Sequence, residues 1–228
     1  MPPLKALLTR RITPWQAILY TVLVLFVAVL IWVTWMFARA KILDARVNAA
    51  IPEVCTEVRH QRAAILNALE AYKSQFGVYP PDHLLSRNPV VVDPVTNTLL
   101  YELAGTLYRP ARKTFQVAGL EPAAVDYVTN FFGCHGFKNC SEKPEGLKTF
   151  LSKQDLAWRQ LHDDPDVFVL GFNMTSETIP YELIWELDIG SWQYVSSTAI
   201  HNPGKFDLWI EIAHKNRKVT VGNWKEVD

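Results

Sequence analysis

From residue 12 to residue 38 the chain carries no charged side chain, and residues 15–37 read WQAILYTVLVLFVAVLIWVTWMF. A helix of that length rises roughly 34 Å at about 1.5 Å per residue, enough to cross a hydrocarbon core of about 30 Å with some tilt. Trp15 and Tyr20 near one end and Trp32 and Trp35 near the other suit the aromatic belts of the two membrane interfaces. A helix in a soluble core seldom runs so long without a polar face. The sequence therefore predicts a single membrane span from Trp15 to Phe37, preceded by a short cytoplasmic arm of residues 1–14. Ala38-Arg39-Ala40 has the small-x-small form of a cleavage site, but the apolar run exceeds the about 7–15 residues of a signal-peptide core. The reading is an uncleaved anchor.

Charge separates the span from the rest. Lysines and arginines number 23, as do acids, yet residues 1–41 hold Lys5, Arg10, Arg11, Arg39 and Lys41 and no acid. The first 41 residues thus carry +5 and the remaining 187 carry −5. That balance, with 49% hydrophobic residues, excludes a disordered polar chain and a strongly basic nucleic-acid binder. Lys5, Arg10 and Arg11 before the span match Arg39, Lys41 and Arg46 after it, so counting bases does not orient it. The long acidic C-terminal part is the natural candidate for export.

Residues 38–77 are predicted to continue the helix outside the lipid. Pro52 is the only breaker, and beyond it Val54, Val58, Ile65, Leu69, Tyr72 and Phe76 fall at helical spacing on one stripe. Gly77 can close the helix in a left-handed conformation, and Pro80-Pro81 prevents a restart.

Downstream the period changes from 3.6 to 2. Residues 181–189 alternate Tyr181, Leu183, Trp185, Leu187 and Ile189 with Glu182, Glu186 and Asp188, the pattern of a strand with one buried face. Further strands are expected at residues 192–195, 206–213 and 219–224, the last two joined by the turn HKNRK. In the third of these four, Trp209 would point outward as a contact surface or lie under the middle of the chain. Between helix and meander the reading gives a short strand at residues 99–103, helices at 121–132 and 145–160, and a strand at 167–171. The fold class is α+β: a long N-terminal helix packed on a C-terminal antiparallel sheet, with a globular part at residues 78–228.

Two constellations bear on chemistry. Cys134 and Cys140 in GCHGFKNC could close a small disulfide loop, worth roughly 2 kcal/mol on the loop-entropy model, or stand as two thiols. With His135 they lack the second spaced pair of a zinc site. Asp163, Asp164 and Asp166 in HDDPD offer oxygen ligands of the kind calcium takes, without the glycine and distal glutamate of an EF-hand; turn formation and helix capping is the other reading. No nucleophile and base stand at catalytic spacing, Cys55 reads as a small packing residue, and the six histidines are scattered. The reading is therefore of a protein without catalysis or resident cofactor, calcium apart.

ILNALEAYKSQFGVYPPDHLL (65–85), then DPVTNTLLYEL (93–103), and finally HNPGKFDLWIEI (201–212) with VGNW (221–224) resemble, in order and spacing, the pseudopilins of bacterial type II secretion systems and wider type IV pilin-like proteins. The resemblance covers roughly the first 105 and the last 30 residues; the stretch at about 110–180 has no counterpart and reads as an insertion. It implies a single-pass protein of the bacterial inner membrane with its C-terminal domain in the periplasm. Its partners would be the lipid bilayer and other secretion or pilus-type subunits, with no nucleic acid. Calcium near the end of the sheet occurs in that family. Where the family has Gly-Phe-Thr and a glutamate at the membrane entry, this chain has Thr9-Arg10-Arg11-Ile12-Thr13-Pro14-Trp15, so the peptidase site is missing and the resemblance is to a divergent member. Two other functions fit the same residues, an anchored extracytoplasmic ligand- or envelope-binding domain and an anchored enzyme with an unrecognised site.

Overall fold

The computed structural model describes residues 13–87, 90–152, 156–161, 164–173 and 179–224. By its internal contacts the chain divides into two units, Met1–Ala49 and Ala50–Asp228. Helix α1, Pro14–Phe76, contributes to both.

In the first unit, α1 opens on a capping box. Gln16 N–H donates to Thr13 Oγ1 at 3.4 Å while Thr13 N–H donates to Gln16 Oε1 at 3.0 Å, and Pro14 occupies the first helical position, where no N–H is needed. The apolar side chains from Trp15 to Phe37 are exposed. Thr21 and Thr34 return their hydroxyls to the carbonyls of Ala17 and Leu30 at 2.9 Å, so neither leaves a donor facing outward. Arg39 lies over the Trp35 ring at 5.4 Å, a cation on an aromatic face at the polar end of the run. This is one helix long and apolar enough to cross a membrane, compatible with a single span.

In the second unit, α1 carries a buried stripe of Ile51, Val54, Val58, Gln61, Ile65, Leu69 and Tyr72. The steps of three and four repeat the sequence reading, with Ile51 and Gln61 added and Phe76 only half-buried. Pro52 lies inside the helix on an exposed face, and Thr56 Oγ1 donates to its carbonyl at 2.9 Å. Gly77, at φ +76°, ends the helix with a bond from its N–H to Lys73 O at 2.7 Å. The stripe meets the rest of the chain through the Tyr72 ring, 5.4 Å from that of Phe150, and through hydrogen bonds. Trp192 Nε1 and the Asn173 N–H donate to Gln61 Oε1 at 3.3 and 3.4 Å, and Arg62 donates to Gly222 O. The helix is thus tied to β12 and to the segments beside the C-terminal strands.

Strands β1 (Leu84–Arg87) and β2 (Val90–Val92) form a hairpin, followed by helix α2 (Leu99–Ala104). Strands β3 (Thr106–Arg109), β4 (Thr114–Val117), β5 (Ala123–Ala124) and β6 (Cys140–Ser141) make a four-stranded sheet in the order β5-β4-β3-β6, with β3 and β6 parallel. Helix α3 (Val125–Phe131) leaves that sheet. A hairpin of β7 (Trp158–Leu161) and β8 (Asp164–Leu170) comes next, then a helical turn α4 (Tyr181–Ile184). The chain ends in β9 (Asp188–Ile189), β10 (Gln193–Val195), β11 (Asp207–His214) and β12 (Arg217–Gly222), all antiparallel with β11 at the centre. Phe206, Leu208, Ile210 and Ile212 are buried as the alternation predicts, and the β11–β12 turn places Lys215 at φ 52°. The middle of the chain thus builds its own sheet and hairpin.

Four expectations are corrected. Residues 99–103 are not a strand but the helix α2, buried at every position. A segment buried all round shows no period, and Leu, Glu and Ala favour the helix. Residues 181–189 are not one strand: Pro180, at φ −54°, starts a helical turn in which the Leu183 N–H donates to Pro180 O at 2.9 Å, and only Asp188–Ile189 pair in the sheet. Leu183 and Leu187 are buried four apart, whereas Trp185 is exposed rather than in the core. Among the described residues of 145–160 there is no long helix; Pro144–Gly146 makes a single 3-10 turn, and the chain then lies along α2, with Phe150 N–H bonded to Leu103 O at 2.9 Å. The helix expected at 121–132 shortens to α3, because Ala123–Ala124 pair with β4 first.

Candidate functional site

Three buried carboxylates hold loops, Asp82 and Asp207 at the C-terminal sheet and Glu102 at the strand β6 of the other sheet. Asp82, just after Pro80-Pro81, accepts the N–H groups of Ser196 and Ser197 at 2.5 and 2.6 Å and the hydroxyls of both serines. Asp207 accepts N–H bonds from Ile200, His201 and Asn202 at 2.7–2.9 Å and the Asn202 side-chain amide at 3.0 Å. Glu102 on α2 accepts the N–H groups of Lys138 and Asn139 at 3.0 and 2.9 Å. Burial pushes the Glu102 carboxyl up, and those two N–H groups pull it partly back. Tyr72 is buried beside Glu102, and burial, with the charge of Glu102, raises its pKa. Carboxylates whose oxygens are occupied by fixed donors are anchors rather than proton acceptors for a substrate.

The DPVTN turn contains a chain that the sequence did not signal. Thr96 Oγ1 donates to Asp93, which leaves its lone pairs for His83 Nδ1 at 2.6 Å, so the network assigns that nitrogen the proton. The His83 ring lies among Phe131 and Phe132, and its burial lowers its pKa. Asn97 donates to Trp192 O at 2.7 Å and ties the same turn to β10. The network ties turn to sheet.

Two surface features could receive another molecule. The first surrounds Trp209, half-buried on β11 opposite Gly222. A Cβ on Gly222 would stand 2.7 Å from the Trp224 ring, so only glycine lets that ring fold back onto the sheet. Trp224 then stacks on His201 at 4.1 Å and meets Trp209 edge-on at 5.7 Å. Asn223 locks the return by accepting Leu208 N–H and donating to Phe206 O. The resulting cavity of about 400 Å³ includes Val92, Ile200 and Trp209. Trp209 is thus partly covered by Trp224.

The second feature is a pair of cavities, about 570 and 340 Å³, sharing Arg159, Asp188 and Gly190. The larger adds Thr96, Phe131, Gln160, Ser191 and Gln193, and the smaller Trp158, Phe172, Trp185 and Leu187. Arg159 Nη1 is held by Ile189 O at 2.9 Å, and Trp192 N–H bonds to Leu170 O at 2.9 Å, joining the β7–β8 hairpin to the sheet. These residues come from four separate stretches with no motif of their own, which hid the cleft from sequence reasoning.

The remaining candidates do not converge. Cys134 and Cys140 carry free thiols, one of the two states the sequence left open; burial and the charge of Glu102 raise the pKa of both. Asp163 lies outside the described residues, and Asp164 and Asp166 belong to the backbone of β8. Among the described residues, no three His, Cys, Asp or Glu side chains are grouped to hold a metal ion. Comparison with protein-family models, curated proteins and solved structures returns no match for this chain.

Proposed function

We propose that this chain is a single-pass, pilin-like membrane protein whose C-terminal α+β part acts through protein–protein contacts, as an accessory to a type II secretion or pilus-type apparatus. The observation that carries the reading is α1 itself. One helix has an exposed apolar stretch at its N-terminal end and, from Ile51 onward, a buried stripe, and the chain closes in an antiparallel sheet. The motifs behind the resemblance also have definite work in the fold, since Asp82, Asn97, Asp207 and Asn223 each hold a turn at the C-terminal sheet and Asp93 closes its own turn on Val95 N–H. A chain that keeps those anchors and adds a second sheet has new surface to present to a partner. The localisation that goes with this reading is the bacterial inner membrane, with the C-terminal part in the periplasm.

Co-purification after mild detergent extraction from native membranes tests it. The expected result is a set of membrane-complex subunits retained by the full chain; a clean monomer at native expression overturns the reading. A C-terminal alkaline phosphatase fusion, active only outside the cytoplasm, is expected to be active.

A further inference from the structure

The paired cavities at Arg159 are preformed and have a definite chemical character. Their volumes fall within the range of about 300–1,000 Å³ usual for small-ligand sites, and the three residues they share make them neighbours. Arg159 and Asp188 supply one charge of each sign, so the lining does not select for a highly charged ligand. Gln160, Ser191 and Gln193 add neutral hydrogen-bonding groups to the larger cavity. Trp158 and Trp185 line the smaller one and are 48% and 73% exposed. Trp158 is steadied by an edge-to-face contact with Phe168 at 5.1 Å, and Arg159 by its bond to Ile189 O. Water-exposed indoles beside an immobilised guanidinium suit a ligand with an apolar face and a polar rim.

A hexopyranose ring with equatorial substituents has that form. Its axial C–H groups make a flat apolar face for an indole, and its hydroxyls project around the edge toward planar donors and acceptors. A phosphate or polyanion would call for more than one cation, and a purely aliphatic ligand would leave the polar lining unpaired. We propose that the cleft between the β7–β8 hairpin and β9–β10 binds a neutral β-linked oligosaccharide. Trp185 and Trp158 provide the stacking surface, and Arg159 and Asp188 hydrogen-bond the ring hydroxyls. This site is independent of the membrane reading and of any protein partner.

Titration calorimetry of the full chain, in a polyoxyethylene detergent free of sugar headgroups, tests the site with cellotetraose and chitotetraose as probes. Saturable binding of at least one probe is expected, weakened at least about tenfold by Trp185→Ala and by Trp158→Ala, the loss typical of an aromatic anchor. Ile200→Ala, at an 81% exposed position outside the cleft, is expected to leave binding unchanged. Since Trp185 is exposed, its replacement leaves the core intact, and circular dichroism of the variant checks this. Absence of heat with both probes at millimolar concentration overturns the proposal, as does binding that survives both tryptophan substitutions. Cleft-dependent capture of a protein in place of either sugar also overturns it.

Discussion

Two stretches of α1 contain the same kinds of apolar residue and treat them in opposite ways. Between Trp15 and Phe37 the large apolar side chains are exposed around the helix, and the two threonines turn their hydroxyls inward to its own carbonyls. Between Ile51 and Tyr72 the apolar residues form one buried stripe, interrupted by Gln61, which is satisfied by Trp192 and Asn173. The difference is one of solvent. The first stretch needs an apolar medium on every side, whereas the second finds its apolar surroundings within the chain. A helix is therefore assigned to membrane or core by how its apolar residues are distributed around it, not by how many there are.

The comparison is broken most severely in the buried stripe. Leu69→Ala is expected to destabilise the unit Ala50–Asp228 by about 2–5 kcal/mol, as a cavity in a fully buried site, whereas Leu23→Ala in the exposed stretch leaves its urea midpoint unchanged. A similar effect of both would mean that the first stretch is also core. Arginine at Leu25 sharpens the membrane side: it is expected to cost about 2.5–3.5 kcal/mol of insertion and to shift the chain into the carbonate-extractable fraction. Asp207→Ala, which strips the N–H groups of Ile200, His201 and Asn202 of their acceptor, should cost about 1–3 kcal/mol, read from the same urea midpoint.

Smaller effects come from pH. His83 is held below its ordinary value, so the unfolded chain binds the extra proton first as pH falls through ~6.5. Stability is then lost progressively from that pH down to the lowered native value, and His83→Gln is expected to flatten the urea midpoint over that window. Glu102 works in the other direction. Its native pKa is raised, so its contribution is fully present below the ordinary carboxyl value and is lost as pH rises through the native one. Glu102→Gln should remove that loss on the alkaline side. At the smallest scale, the raised pKa values of Cys134 and Cys140 predict slow alkylation of both thiols at pH 7 compared with the denatured chain, measured by mass spectrometry.

Where the burial was one-sided, the sequence was legible: the stripe and the alternation of β11 each leave a period, and both reappear in the structure. The apolar stretch from Trp15 to Phe37 was legible from the lack of any polar face and lies in one long helix. Where a segment is enclosed on all sides, as in α2, or rests on one proline, as in α4, the period vanishes or misleads. Trp185 shows the consequence: a false strand register assigned it to the core, and the helical turn turns it outward to the cleft.

The amino-acid sequence by itself determined the apolar helix, its polar continuation and the antiparallel strands that close the chain, because these follow from local spacing and hydrophobicity. Only the tertiary structure decided that Asp82 and Asp207 serve as anchors, that Gly222 makes room for Trp224, and that Trp158, Arg159, Trp185 and Asp188 share a cleft. Those facts depend on close approach between residues distant in sequence, and a linear pattern carries no record of which loops meet.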